Sequence, residues 1–161
     1  MLIEQQGDVF ELAPTHYLAH CISRDFALGA GIAVEFDRRY DMRQELRSFM
    51  ADIEWLTDRE YALPKCIRID RVFNLITKEK CWQKPTYNSL EQSVRMMGRQ
   101  IGCLIEQGET VKLAMPRIGC GIDGLTWSKV SVIIDSVLAP LNIEIQVRYL
   151  KGNETWISQS E

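Results

Sequence analysis

The sequence contains no apolar run approaching the ~18 residues that a membrane-spanning helix requires. Its first residues, Met1–Gln5, lack the basic start and long apolar stretch of a secretion signal. Cysteine is present five times, but the count is odd and no C-x-x-C pair occurs. Reduced thiols, and hence a cytoplasmic or nucleocytoplasmic protein that is not secreted, are expected over a disulfide framework or zinc site. Histidine is scarce, with only His16 and His20, and no H-E-x-x-H motif exists. No metal is therefore expected. Neither the Walker phosphate motif nor the dinucleotide G-x-G-x-x-G is found, Gly29 and Gly31 having no third glycine in register. With a formal charge of −3 there is no overall positive field to attract nucleic acid. Arg38, Arg39, Arg43 and Arg47 cluster, but that spacing reads as a solvated helix face.

What remains is an ordinary globular composition, 46% apolar and 25% charged, which argues against disorder. The 161 residues are about one domain's worth. No repeat or linker divides them. One domain is expected over 1–150, followed by a polar tail, 151–161, that Trp156 and Ile157 could pin to the surface. No second domain is seen, and a monomer is expected.

The C-terminal half is the more regular. Val72–Thr77 reads as a strand, and Asn88 as an N-cap with Glu91 three residues on. Leu90, Val94, Met97, Ile101, Leu104 and Ile105 follow at helical spacing, with Gly108 placed to end the helix. Val111–Met115 is a short buried strand. Val130, Ile133, Ile134, Val137 and Leu138 form a second helical stripe, stopped near Pro140. Ile143–Tyr149 alternates as a strand. Leu18–Ile22 is a further strand, and Gly29–Ala33 leads into a helix through Arg39. The middle, Tyr61 to Thr77, reads as one or two strands with a turn near Asp70-Arg71. Successive strand–helix–strand crossovers should be right-handed. The expected fold is α/β: a three-layer α/β/α sandwich around a mostly parallel mixed sheet. Ligands of such sheets bind beyond the carboxyl ends of the strands.

Met115-Pro116-Arg117-Ile118-Gly119-Cys120-Gly121-Ile122-Asp123-Gly124 stands out. Glycine lets backbone N–H groups approach a ligand closely. At a helix start those groups are unpaired and favour an anion, most often phosphate. A carboxylate in such a loop would repel phosphate, so Asp123 points to chemistry as well as binding. Gly29-Ala30-Gly31 supplies a second, weaker loop. Lys78, directly after a strand, would lie at the rim of the same cleft, where by position alone it could be merely solvated. Cys120 could be a nucleophile, but it would need a base, and His20 reads as a satisfied core residue. Trp82 and Tyr87 could stack on a ring or simply pack.

Gly7–Phe10, Leu18–Ser23, Gly29–Ala33, Leu75–Lys78, Lys84–Tyr87 and Met115–Asp123 follow one another in that order. Together these six motifs resemble macrodomains, the ADP-ribose-binding α/β/α modules, over nearly all of Gly7–Leu150. More narrowly, they resemble the terminal ADP-ribose protein glycohydrolase branch. His20-Cys21-Ile22-Ser23 replaces the Asn-Ala-Ala-Asn of many macrodomains, so the asparagine-and-water scheme does not carry over. Arg148 stands where the branch has an aromatic, with Tyr149 next.

The resemblance implies an enzyme, an ADP-ribosyl hydrolase that removes ADP-ribose from acceptors, ester-linked acidic side chains above all. Lys78 would attack C1″ of the distal ribose and leave a covalent adduct, which Asp123 would help resolve. Asp8, beside Val9, would accept a hydrogen bond from the adenine amino group. Gly29, Ala30, Gly31, Ile32 and Ala33, with Pro116, Ile118, Gly119, Cys120, Gly121 and Ile122, would cradle the diphosphate and distal ribose. Ser23 would face that ribose, and Thr77 and Leu150 would complete the site. The implied partners are ADP-ribose and ADP-ribosylated protein, with ADP-ribosylated nucleic acid or O-acetyl-ADP-ribose as further substrates, no cofactor and no membrane. Two other functions fit the same residues: a non-catalytic ADP-ribose-binding module, and an ADP-ribose-1″-phosphate phosphatase or O-acetyl-ADP-ribose deacylase.

Overall fold

A computed structural model describes residues 2–56 and 63–151. The proposed tail beyond Lys151, with Trp156 and Ile157, and the start of the middle segment at Tyr61 lie outside them. The strands are β1 (Leu2–Gln6), β2 (Tyr17–Ser23), β3 (Cys66–Ile69), β4 (Val72–Lys78), β5 (Lys112–Met115) and β6 (Glu144–Tyr149). They form one sheet in the order β1-β6-β5-β2-β4-β3. Every pairing is parallel except β3 with β4. That exception is the hairpin expected at Asp70-Arg71, where Asp70 takes a left-handed φ of 49°.

The sheet is covered on both faces. Helix α1 (Ile32–Tyr40) and helix α2 (Met42–Leu56) lie over one, helix α3 (Tyr87–Glu106) and helix α4 (Trp127–Leu138) over the other. Alternation in β2 shows why. Leu18 and Ile22 pack with Phe36 and Leu46 on the α1–α2 side, whereas Tyr17 and Ala19 pack with Leu90 and Val94 on the α3 side. Strands buried on both faces read as continuous apolar runs. Burying a side chain such as Phe73 or Phe36 contributes about 2–3 kcal/mol.

The cap of helix α3 lies two residues before the expected Asn88. Thr86 is the N-cap: its hydroxyl accepts from the Ser89 N–H, and the Ser89 hydroxyl accepts from the Thr86 N–H, both at 3.0 Å. This reciprocal box outcompetes a lone Asn88. Ser89 Oγ also donates to the Thr77 carbonyl at 2.7 Å, fixing the start of α3 to the end of β4. Gly108, at φ 93°, follows the last turn as expected, while Ile105 is turned outward. The arginine cluster is less solvated than its spacing implies. Arg38 and Arg39 both bind the fully buried Glu35 carboxylate, Arg39 Nε at 2.7 Å. Arg39 also lies over the Phe10 ring, 4.1 Å from its centroid, and Arg43 donates to the Ala27 carbonyl. Glu35 lies three and four residues before Arg38 and Arg39 on the same helix, so spacing permits both pairs; what it does not show is that this carboxylate is fully buried. Among the described residues no helix is long and apolar enough to cross a membrane.

Candidate active site

The carboxyl ends of β2, β4, β5 and β6 open at one edge of the sheet. At the end of β2 the pairing with β4 slips by one residue. Ile22 faces Ile76, yet Ser23 faces Lys78, leaving Thr77 unopposed. Such a bulge re-aims the side chain beside it. Lys78 closes the strand rather than following it, and its Nζ donates to Asp123 Oδ1 at 2.7 Å. The two side chains are only 13% and 16% exposed. The contact joins the end of β4 to the glycine-rich loop after β5, between residues 45 apart in sequence.

That loop is held from several sides. The Lys84 ammonium donates to the Ile122 carbonyl at 2.6 Å, and the Thr126 N–H donates to the Tyr87 hydroxyl at 3.1 Å. Tyr87 thus braces the loop, while Trp82 stays 75% exposed. Gly119 adopts a φ of 74°. A Cβ there would meet Leu125 Cδ1 at 3.1 Å. Gly119→Ala is therefore expected to destabilise the protein by about 1–2 kcal/mol through backbone strain and crowding. Equilibrium denaturation would measure it, and an unchanged midpoint would contradict it.

The facing loop is strained too. Phe26 and Leu28 hold left-handed φ values of 53° and 44°. These are uncommon for bulky residues and cost of order 1–3 kcal/mol each. Both side chains are buried, which holds the conformation. The turn delivers Gly29 and Ala30 to the cleft, and Gly31, at φ 61° and ψ −148°, starts α1. Between the loops lies a cavity of about 270 Å³. Of the expected site residues it brings together Ser23, Gly29, Ala30, Gly31, Ile32, Ala33, Lys78, Pro116, Ile118, Gly119, Gly121, Ile122 and Asp123. A wider cavity of about 820 Å³ shares Gly29–Gly31, Pro116 and Gly121, and adds Cys120 and Leu150. Together they form one trough.

Asp8, Val9 and Thr77 line neither cavity. Asp8 caps the turn Val9–Leu12, with Oδ1 accepting from the Phe10 N–H at 2.9 Å; Val9 and Thr77 are buried. Several lining residues were not among the expected site residues. Cys21 and Cys81 border the inner cavity, and Leu125, Trp127 and Arg148 the outer. Arg117 borders both. Its guanidinium lies 4.1 Å over the Tyr149 ring, and it pairs with Glu4 at 3.4 Å. Trp127 Nε1 donates to Glu4 at 2.8 Å. Only a folded chain brings Glu4, Arg117, Trp127 and Tyr149 to one rim.

Cys120 is poorly suited to attack. Burial foremost, with a further push from the Asp123 carboxylate against the pull of Arg117, raises its thiol to about 11. Burial likewise raises the Cys21 thiol. Both histidines are engaged elsewhere. His16 Nε2 donates to Glu144 at 2.6 Å, and His20 Nε2 donates to Asn74 Oδ1 at 2.6 Å. Among the described residues no group of three His, Cys, Asp or Glu side chains could hold a metal ion.

No family model matches the chain. A human protein named ADP-ribose glycohydrolase OARD1 is 41% identical over 143 residues, 88% of this chain and 87% of that protein. Its Bos taurus counterpart matches to the same extent. Among solved structures, the macrodomain of Mycobacterium tuberculosis DarG superposes with a TM-score of 0.70 at 22% identity, covering 94% of this chain and 99% of that one. Thermosipho africanus DarTG in complex with ADP-ribose gives 0.68 at 20% identity, covering 98% of this chain and 44% of that one. The fold is the macrodomain fold, and the chain belongs to the family of the ADP-ribose glycohydrolase OARD1.

Proposed function

We propose that the chain hydrolyses the bond between ADP-ribose and an acidic side chain of a modified protein, with Lys78 as nucleophile and Asp123 as its proton partner. One observation carries this reading: a shielded lysine–aspartate pair at 2.7 Å in the wall of a glycine-lined trough. A pure binding module has no need of a shielded amine beside a carboxylate. The name of the 41% identical human relative supports the reading.

The trough suits a long ligand with phosphates at its middle. Backbone N–H groups of the loops at Gly29–Gly31 and Ile118–Gly121 would hold the diphosphate. The distal ribose would lie toward Lys78, Asp123 and Ser23, and the adenosine toward Arg148–Leu150. A lysine amine is almost wholly protonated at neutral pH. Asp123 is in reach to take that proton once the substrate is seated. The freed amine then attacks C1″. The C1″–O bond breaks, its electron pair leaves with the acceptor carboxylate, and an N–C1″ bond forms. Water next attacks C1″ as the C1″–N bond breaks and its electron pair returns to the lysine nitrogen. Asp123 passes its proton to that amine, and the restored carboxylate takes the proton that the water loses and releases it to solvent.

Replacing Asp123 by asparagine keeps its size and removes the proton acceptor. Turnover of protein carrying ester-linked ADP-ribose is expected to fall by about 10²–10⁴-fold. Release of free ADP-ribose from automodified acceptor would show it. Retained turnover of ADP-ribose-1″-phosphate alone, indifferent to Lys78 and Asp123, would favour a phosphatase. ADP-ribose binding without turnover of any substrate would leave a binding module.

A further inference from the structure

Asp25 lies just behind the site, in the loop leaving β2, and no step above uses it. Its carboxylate gathers three donors. Oδ1 accepts from the Ser23 hydroxyl at 2.5 Å and from the Ala27 N–H at 3.2 Å, and Oδ2 accepts from the Cys81 N–H at 2.9 Å. These donors come from both walls of the cleft. Ser23 ends β2 opposite Lys78, Ala27 precedes the first glycine loop, and Cys81 follows Lys78 in the next turn. Arg24 stitches the same seam, with its N–H on the Lys78 carbonyl at 2.9 Å and its guanidinium on Glu79 at 3.2 Å.

An ionised carboxylate can only accept hydrogen bonds, and a serine hydroxyl has one proton to give. Ser23 spends that proton on Asp25. What its oxygen then offers the cleft is lone pairs. Burial would raise the Asp25 carboxyl, but the hydrogen bonds from Ser23, Cys81 and Ala27 outweigh it and hold the group below the ordinary carboxylate range. Asp25 is thus ionised whenever the protein is folded at neutral pH.

We propose that Asp25 is a positioning residue that fixes Ser23 as a hydrogen-bond acceptor for a ribose hydroxyl of the substrate, and that locks the Lys78-bearing turn to the first glycine loop. The identity of the substrate rests on the hydrolase reading above; the coupling of Asp25 to Ser23 does not.

The test measures ADP-ribose affinity by calorimetry, turnover of ester-linked ADP-ribosylated protein, and melting temperature. The proteins are wild type, Ser23→Ala, Asp25→Ala, Asp25→Asn and the double Ser23→Ala/Asp25→Ala. Asp25→Ala is expected to weaken ADP-ribose binding about tenfold. In the Ser23→Ala background the same change should weaken it far less, since the group it orients is gone. Asp25→Asn keeps an oxygen for Ser23 and Ala27 but turns an NH2 toward the Cys81 N–H. It should recover most of the affinity while kcat stays about tenfold or more below wild type. A merely structural residue would not separate the two. Additive losses of affinity at Ser23 and Asp25 would overturn the proposal, as would losses that simply track the melting temperature. If the wild type binds ADP-ribose but turns over nothing, the hydrolase reading fails and the affinity coupling still decides the role of Asp25. If it does not bind ADP-ribose, both fall.

Discussion

Lys78→Arg is expected to abolish turnover of ADP-ribosylated protein, by at least about a thousandfold in kcat, while ADP-ribose binding changes little. A guanidinium keeps the positive charge that pairs with Asp123, so the field at the inner cavity is preserved. It cannot lose a proton under any condition the protein survives, so it offers no lone pair to C1″. Lys78→Ala should lose turnover as well, but by a route that also touches binding. It leaves Asp123, 16% exposed, without the cation 2.7 Å away. An uncompensated carboxylate then faces a ligand with two phosphates, and affinity should fall. Lys78→Ala alone would therefore confuse nucleophile with counter-ion, and the arginine variant separates them. Single-turnover release of ADP-ribose, beside calorimetric affinity, reads both quantities. An arginine variant with near-wild-type turnover would mean that Lys78 acts only through its charge, and the covalent route would be wrong. Mass spectrometry of the wild type stopped during turnover should show Lys78 carrying ADP-ribose. The arginine variant should show none.

The fold was legible because its signals are local. Leu90, Val94, Met97, Ile101 and Leu104 repeat at helical spacing and line the α3 face of the core. The mostly parallel sheet followed from strands alternating with helices. The errors were local as well. Asn88 and Thr86 are both good caps, and the choice turned on Ser89, whose hydroxyl serves Thr86 and Thr77 together. Half of that competition lies in β4, outside any window read along α3. The arginine cluster shows another limit: Glu35 is at helical spacing from Arg38 and Arg39, but its full burial follows only from how α1 packs.

The site was partly legible for a different reason. Gly119 and Asp123 fall within one ten-residue segment, so composition alone marked it. Lys78 carried no such mark, and its resemblance to a family motif supplied the expectation. It sits at a one-residue slip of register, opposite Ser23, and hydrophobic periodicity does not reveal such a slip. Asp25 was less visible still. Its three donors come from two strand exits more than fifty residues apart, with Asp25 to Cys81 separated by 56. Strained turns at Phe26 and Leu28 were invisible too, since neither residue type favours a left-handed φ. The local pattern specifies the layers. The chemistry depends on where layers meet, and that is decided by contacts between distant segments.

Acid should destabilise the protein through His20, and the effect should be large. His20 stands in β2 with its ring fully buried against Phe36 of α1, the centroids 3.8 Å apart. Nε2 donates to Asn74 Oδ1 at 2.6 Å, and Asn74 Nδ2 donates in turn to the Ile67 carbonyl at 3.1 Å. Among the described residues Nδ1 has no hydrogen-bond partner. A second proton would therefore sit on a buried nitrogen with no acceptor. Burial, opposed only by the Asn74 contact, lowers the group to about 4. In the unfolded chain it titrates near 6.5. The unfolded state then binds more protons than the folded one between those values, so stability rises with pH across that window and is lost as pH falls through it. From pH 7 to pH 4 the loss from this residue should reach about 3 kcal/mol. His20→Gln keeps a donor for Asn74 and removes the titration. Urea denaturation of both proteins at pH 7 and pH 4 isolates the His20 share, because losses from Glu144 and Asp25, whose carboxyls are held low in the folded state, are common to both. Equal losses in the two proteins would rule the mechanism out. The consequence reaches the cleft, because Phe36 anchors the helix that Gly31 begins. Charging His20 would push against that anchor. The first glycine loop should then be less firmly anchored in acid, and ADP-ribose affinity should weaken over the same pH range as stability.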